Sequence, residues 1–305
     1  MVPGSPSMRA IEKVVAEIAR TDIPVLLTGE SGTGKEVLAR RIHGLSNQFE
    51  KPFAKITCAS MNADKLSAEL AAHLRPASEQ EFADTPATLL FDELSDLDAA
   101  CQARLVYALP DGESIPKAET IASRIISSTA REIEEETRVG RFRSDLYYRI
   151  NGVCLRLPPL RERKEDIPAL AEFLLAKHAS QLGRPQPFLR QESLKTLEDY
   201  FWPGNIRELE NVLRKIVVLG DERLAISELR SVPSSALKSD PSPARTYSLK
   251  AAARAASREA ERGLIMEALA RTRWNRKRAA QELQISYKSL LYKLKQIGVE
   301  ESEAS

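Results

Sequence analysis

Apolar positions along this chain fall into two alternating kinds of run. Short continuous ones read as strands: Pro24-Val25-Leu26-Leu27, Phe53-Ala54-Lys55-Ile56-Thr57, Thr88-Leu89-Leu90-Phe91, Ile121 to Ser128 and Val153 to Leu157. Thr88 to Phe91 shows no alternation, which suits a strand buried on both faces of a parallel sheet. Between the strands lie stretches with apolar residues at helical spacing. Met8 to Arg20 carries Ile11, Val14, Val15, Ile18 and Ala19, and Asp22-Ile23-Pro24 ends it. Asp64 to Leu74 and Asp98 to Leu109 read as further helices, and Pro76 to Pro86 is polar and irregular. Strands alternating with helices predict a doubly wound α/β fold.

Beyond Pro158-Pro159 the pattern changes. Asp166 to Ala179, Gln191 to Tyr200 and Asn205 to Leu219 are helical with no strand between them, which predicts a small helical lid behind the α/β core. Ser231 to Ser242 is rich in Ser and Pro, as a linker is. Ser248 to Arg271 is an Ala-rich helical pattern, followed by shorter helices near Asn275 to Leu283 and Ser286 to Gln296. The expected organisation is a core over 1–160, a lid over 161–230, a linker over 231–247 and a C-terminal helical domain over 248–300.

Candidate chemistry sits where the first strand ends. Gly29-Glu30-Ser31-Gly32-Thr33-Gly34-Lys35-Glu36 joins a buried strand to a helix N-terminus, where free N–H groups and the helix dipole both face an anion. This is the pattern of a Walker A loop for a nucleoside triphosphate, with ATP the expected cofactor. The glycines permit positive φ and close approach to phosphates, and Lys35 reaches the terminal ones. Glu36 stands where a Ser or Thr hydroxyl would ligate Mg²⁺, so a metal would rest on carboxylates or water. Asp92-Glu93, at the end of a buried run, fits a Walker B pair. Asp92 would hold Mg²⁺ through water, and Glu93 would orient or deprotonate the attacking water. An acidic pair capping the following helix is the plainer alternative.

Composition narrows the setting. The 305 residues have the charged and apolar fractions of a soluble globular protein. No apolar run is long enough for a membrane span, and the first residues lack the features of a signal peptide, so a cytoplasmic location without membrane contact is expected. Cys58, Cys101 and Cys154 are odd in number and lack a CxxC pair, which suggests buried reduced thiols. The net charge of +2 is uneven: 245–300 holds thirteen Lys/Arg against five Asp/Glu, a balance of +8, which leaves −6 for the rest. A basic C-terminal module on a mildly acidic body points to a polyanion.

Within that module Ala279, Ala280 and Leu283 share a face of one short helix, and Leu290, Leu291 and Leu294 a face of the next, joined by Gln284-Ile285-Ser286. Small residues at a close helix crossing, with Ser286, Tyr287, Lys288, Ser289, Tyr292 and Lys293 at and around the second helix, form the pattern of a helix-turn-helix reading double-stranded DNA. Arg276, Lys277 and Arg278 would lie along the phosphate backbone. The tyrosines serve packing or DNA contact equally well, and an ordinary hairpin with a basic face is the alternative. Leu264, Ile265, Ala268 and Leu269 offer an apolar face for pairing two copies.

The motifs GESGTGKE, TLLFDE ending at Glu93, GRFRSDLYYRIN from Gly140, LPPLRERKEDI from Leu157 and WPGNIREL from Trp202 resemble the AAA+ domain of the sigma-54-dependent transcriptional activators. These are the bacterial enhancer-binding proteins. WNRKRAAQELQISYKSLLYKLKQIG, from Trp274, is similar to the Fis-type helix-turn-helix that closes many of them. The resemblance implies an AAA+ P-loop NTPase core, a parallel sheet flanked by helices, with an all-α lid. It implies that Arg143 and Arg149 are arginine fingers reaching a neighbouring subunit's γ-phosphate, and that Arg207 is the sensor II arginine. A finger acting in trans implies a homo-oligomeric ring, such as a hexamer, while the apolar face of Leu264, Ile265, Ala268 and Leu269 implies a dimeric C-terminal domain.

Three departures from the family pattern change what is expected. The GAFTGA loop that touches sigma-54 has no counterpart between His73 and Asp84. Thr57 replaces the asparagine that restrains the catalytic glutamate, and Ala130 replaces the sensor I asparagine. The expectation is a transcription regulator that binds ATP and DNA but does not remodel sigma-54 holoenzyme, with RNA polymerase or a regulatory protein as a further partner. Three readings remain open: an ATP-hydrolysing regulator, a DNA-binding module using ATP only to set its oligomeric state, and a remodeller of other proteins. Too few residues precede the first helix for a receiver or sensing domain, so either a partner regulates the chain or it is a fragment.

Overall fold

A computed structural model describes residues 4–71, 73, 88–110 and 121–231, together with 268, 271–272, 275–283, 285, 287 and 289–290. Contacts divide the chain into Met1–Lys238 and Ser239–Ser305.

The first unit is built on five parallel strands in the order β2-β3-β4-β1-β5: β1 Val25–Thr28, β2 Phe53–Thr57, β3 Thr88–Asp92, β4 Arg124–Thr129 and β5 Val153–Arg156. Successive side chains of a strand point to opposite faces, and both faces here are covered. Leu26, Leu89, Phe91 and Ile125 face one apolar cluster with α3 (Ala63–Ala71), α4 (Ala99–Ala108), α5 (Ile133–Arg138) and α6 (Ser144–Ile150). Val25, Leu27, Leu90 and Ile126 face the other, with α1 (Pro6–Ile18) and α2 (Lys35–Gly44). Double coverage explains why β1 and β3 read as unbroken apolar runs. It also places β4 between β1 and β3, so the loop after β1 and the acidic end of β3 stand about 10 Å apart, two strand spacings.

Two positions depart from expectation at the sheet margins. The fourth strand begins at Arg124, three residues later than the apolar run suggests, and the buried Arg124 guanidinium donates to the Ile18 and Ala19 carbonyls, capping α1. Cys154 is exposed, since β5 is an edge strand, while Cys58 and Cys101 are buried; all three are free thiols.

Among the described residues the lid has four helices: α7 Ile167–Leu182, α8 Gln191–Asp199, α9 Asn205–Leu219 and α10 Glu222–Ser231. The fourth is an addition to the three read from periodicity. Gly220, at φ +69°, ends α9 in a left-handed cap, and α10 then returns Ala225, Ile226 and Leu229 to the core around Trp202, Leu209 and Leu213. The linker expected over 231–247 lies outside the described residues except Ser231. Among the described residues no helix is long and apolar enough to cross a membrane.

In the second unit, α11 (Arg276–Glu282) starts at Asn275, whose side chain accepts from the Arg278 amide. Ala268, Ala279, Ala280 and Leu290 form one buried cluster, with Leu283 and Ile285 against it.

Candidate nucleotide site

The loop from Gly29 to Lys35 is shaped by three glycines at φ +140°, +80° and +101° (Gly29, Gly32 and Gly34). At two of them a side chain has no room: a Cβ on Gly29 would stand 2.5 Å from the Leu157 carbonyl oxygen, and one on Gly32 2.4 Å from that of Gly204. Gly34 brings no side chain to cap α2, which leaves the first helical amides to a ligand. Lys35 is buried and folds back over the loop, its Nζ donating to the carbonyls of Gly29 (2.8 Å) and Glu30 (3.3 Å). The Thr33 hydroxyl donates to the Glu30 carbonyl as well.

Asp92 and Glu93 end β3. Glu93 takes φ +55° and donates its backbone N–H to the Ser128 hydroxyl, which itself donates to Asp92 at 2.7 Å. The Glu93 carboxylate lies 3.1 Å from Lys35 and accepts from the Ala130 amide at 2.8 Å. The backbone of Ala130 thus holds the carboxylate, while no side-chain amide is present there. Thr57 is exposed at the end of β2. Lys55 bridges the remaining acids, 2.7 Å from Asp92 and 2.7 Å from Glu36, and Glu36 also pairs with Arg40. Burial opposes ionisation of Asp92, but the hydrogen bonds from Lys55 and Ser128 outweigh it and hold the carboxyl below its usual range. Hydrogen bonding from Lys55 does the same for Glu36.

The Asp92 and Glu36 carboxylates share the Lys55 ammonium, and among the described residues no three His, Cys, Asp or Glu side chains converge. As arranged, the Lys55 ammonium holds the Asp92 and Glu36 oxygens that a divalent ion would take.

The lid closes directly on the loop. Asn205, at φ +52° and fully buried, accepts from the Leu160 amide and donates to Glu30 and the Ser31 carbonyl. Arg207 donates to the Ser31 hydroxyl at 2.8 Å, and the Ile206 amide to the Gly32 carbonyl at 3.0 Å. Arg161 grips Glu30 with two bonds, and this pairing depresses the Glu30 pKa. Buried Arg163 donates to the Thr33 carbonyl. Of these contacts the sequence reading anticipated Arg207 alone. Arg161, Arg163 and Asn205 stood inside motifs quoted for resemblance, which was the available signal.

Arg143 and Arg149 are not brought to Lys35, Asp92 or Glu93 among the described residues. Arg143 is 47% exposed and pairs with Asp145. Arg149 donates to the Val106 and Leu109 carbonyls, both at 2.9 Å. On α11, Lys277 and Arg278 are exposed and Arg276 half-buried; Tyr287 is exposed and Ser289 half-buried. Ser286, Lys288, Tyr292 and Lys293 lie outside the described residues. A concavity of about 570 Å³ beside α3, lined by Ser60, Met61, Lys65 and Glu69 among others, includes no residue of the phosphate loop.

A glycine loop between a buried strand and a helix, an acidic strand end two strands away and a helical lid bonded to that loop define a P-loop protein of the AAA+ class. Residues 1–156 match the sigma-54 interaction domain, 161–248 the AAA+ ATPase lid domain and 257–296 the Fis family of bacterial regulatory proteins. The chain therefore belongs to the family of sigma-54-dependent transcriptional regulators. It is 36% identical over 311 residues to the response regulator protein PilR of Pseudomonas aeruginosa, covering 97% of this chain and 69% of that protein. It is similar to the crystal structure of NtrX from Brucella abortus, with a TM-score of 0.70, 27% identity and coverage of 97% and 69%. NtrX in complex with ATP gives a TM-score of 0.62 at 27% identity, with coverage of 98% and 69%.

Proposed function

We propose that this chain is an ATP-dependent, DNA-binding transcription regulator in which the lid reports the occupancy of the phosphate loop. The observation that carries this reading is the direct bonding of lid to loop, through Arg207 to Ser31, Asn205 to Ser31 and Glu30, and Ile206 to Gly32. A triphosphate entering the loop competes with Glu93 for Lys35, whose three N–H donors already meet Gly29, Glu30 and Glu93. Released from that pair, Glu93 is the group that orients or deprotonates a water, held by the Ala130 amide. Any such rearrangement of the loop is felt at Ser31 and Glu30, and so by α9 and the lid.

Arg143 suits a finger acting in trans, since its guanidinium is on the surface, paired with Asp145. Arg149, tied to two carbonyls at the end of α4, positions α6 in this reading. The ring this implies and the dimeric C-terminal domain belong to the same proposal. The Asn275-capped helix and the Ala279–Ala280–Leu290 cluster support a helix-turn-helix that places Lys277 and Arg278 toward DNA phosphates. Without a GAFTGA sequence, RNA polymerase or a regulatory protein is the proposed partner in place of sigma-54 remodelling.

A second reading, in which ATP sets the oligomeric state with little turnover, is favoured by Thr57 and Ala130, which leave Glu93 without side-chain amides. ATP turnover by the full chain, with and without target DNA, separates the two. Turnover that depends on Glu93 supports the first reading; binding without turnover supports the second; absence of both rejects the proposal.

A further inference from the structure

We infer that Lys55 is a built-in cation of the nucleotide site, standing between Asp92 and Glu36 and taking over charge neutralisation that would otherwise fall to a divalent metal. The inference deepens the nucleotide-site reading and rests on it. Lys55 lies on β2, an edge strand, beside Leu90 in the register with β3. Its Nζ meets Asp92 Oδ2 and Glu36 Oε2 at 2.7 Å each. These carboxylates come from the end of β3 and the first turn of α2, the two elements that flank the phosphate position.

A magnesium ion requires near-octahedral oxygen ligands at about 2.0 to 2.1 Å and gives up water reluctantly. To reach Asp92 it must displace an ammonium that is tethered to the sheet and already seated. The tethered group also has no translational freedom left to lose on meeting the phosphates. The Lys55 side chain is 28% exposed. Its charge is retained: burial works against it, yet the hydrogen bonds to Asp92 and Glu36 prevail and raise the Lys55 pKa. In this reading the triphosphate meets two lysines, Lys35 from the loop and Lys55 from β2, the strand beside β3.

The full chain titrated with a fluorescent ATP analogue, in excess magnesium and in EDTA, tests this. Wild-type affinity is expected to differ by less than about threefold between the buffers, whereas Lys55→Met weakens about tenfold in EDTA and recovers with magnesium, and Lys55→Arg behaves as wild type. Thermal melting checks that the variants are folded; if Lys55→Met is not, the wild-type comparison decides by itself. Wild-type binding that drops tenfold in EDTA, on the order of 1.4 kcal/mol, or equal EDTA sensitivity in wild type and Lys55→Met, would overturn the inference alone. No binding in either buffer would overturn the nucleotide-site reading beneath it.

Discussion

Asn205→Ala tests the lid-to-loop bonding on which the functional reading depends. Asn205 is fully buried at φ +52°. Truncation removes a 2.7 Å bond from the Leu160 amide and bonds of 3.1 and 3.0 Å to Glu30 and the Ser31 carbonyl. An orphaned buried amide costs about 1 to 3 kcal/mol, and each lost neutral bond about 1 kcal/mol. An alanine in the left-handed region adds about 1 kcal/mol. Glu30 keeps Arg161, which limits its share. The expected loss is about 3 to 5 kcal/mol. Trp202, buried in the lid and donating to the Leu197 carbonyl, gives the signal for urea unfolding of the full chain by fluorescence. Asn205→Gly keeps the backbone conformation and should recover about 1 kcal/mol of the loss. A loss below about 1 kcal/mol in Asn205→Ala would refute the reasoning, because the amide would then not hold the turn to the loop.

Glu93→Gln loses the ion pair with Lys35 and should bind ATP no more weakly than wild type, while turnover falls about 10² to 10⁴-fold; weaker binding would contradict the competition between Glu93 and phosphate for Lys35. Arg143→Ala should lose turnover, about 10³-fold or more, and recover it when mixed with Lys35→Ala subunits; no recovery would argue against action in trans. DNA binding by a dimer neutralising about eight phosphates should weaken roughly 10³ to 10⁵-fold between 50 and 200 mM salt, and a flat salt response would remove the helix-turn-helix reading.

The sheet and the loop were legible in the sequence because both depend on local pattern. Val25 to Leu27 and Leu89 to Phe91 are buried on both faces, and the glycines of the loop mark a turn by their spacing. What was not legible depends on separation along the chain. Asn205 meets Glu30 across 175 residues, and Arg163 meets Thr33 across 130, so no local period registers either contact. Lys55 read as one polar position in a strand. Its meaning emerged only once the register placed Thr57 opposite Asp92 and brought α2 alongside. The same dependence on strand order explains Cys154, whose exposure follows from β5 being an edge. α10 was hidden by a charged, short sequence following Gly220, and it gains its apolar face only against α9 and α8.

Calorimetric titration of ATP into the full chain and its Lys35→Ala variant tests the central claim most directly. Lys35 is buried in the loop and holds it through the Gly29 and Glu30 carbonyls, so its removal takes away both the cation that faces the phosphates and the strap that shapes their cradle. The account predicts saturable binding by wild type, near one nucleotide per chain, and no detectable binding by the variant; unchanged affinity in Lys35→Ala would contradict it.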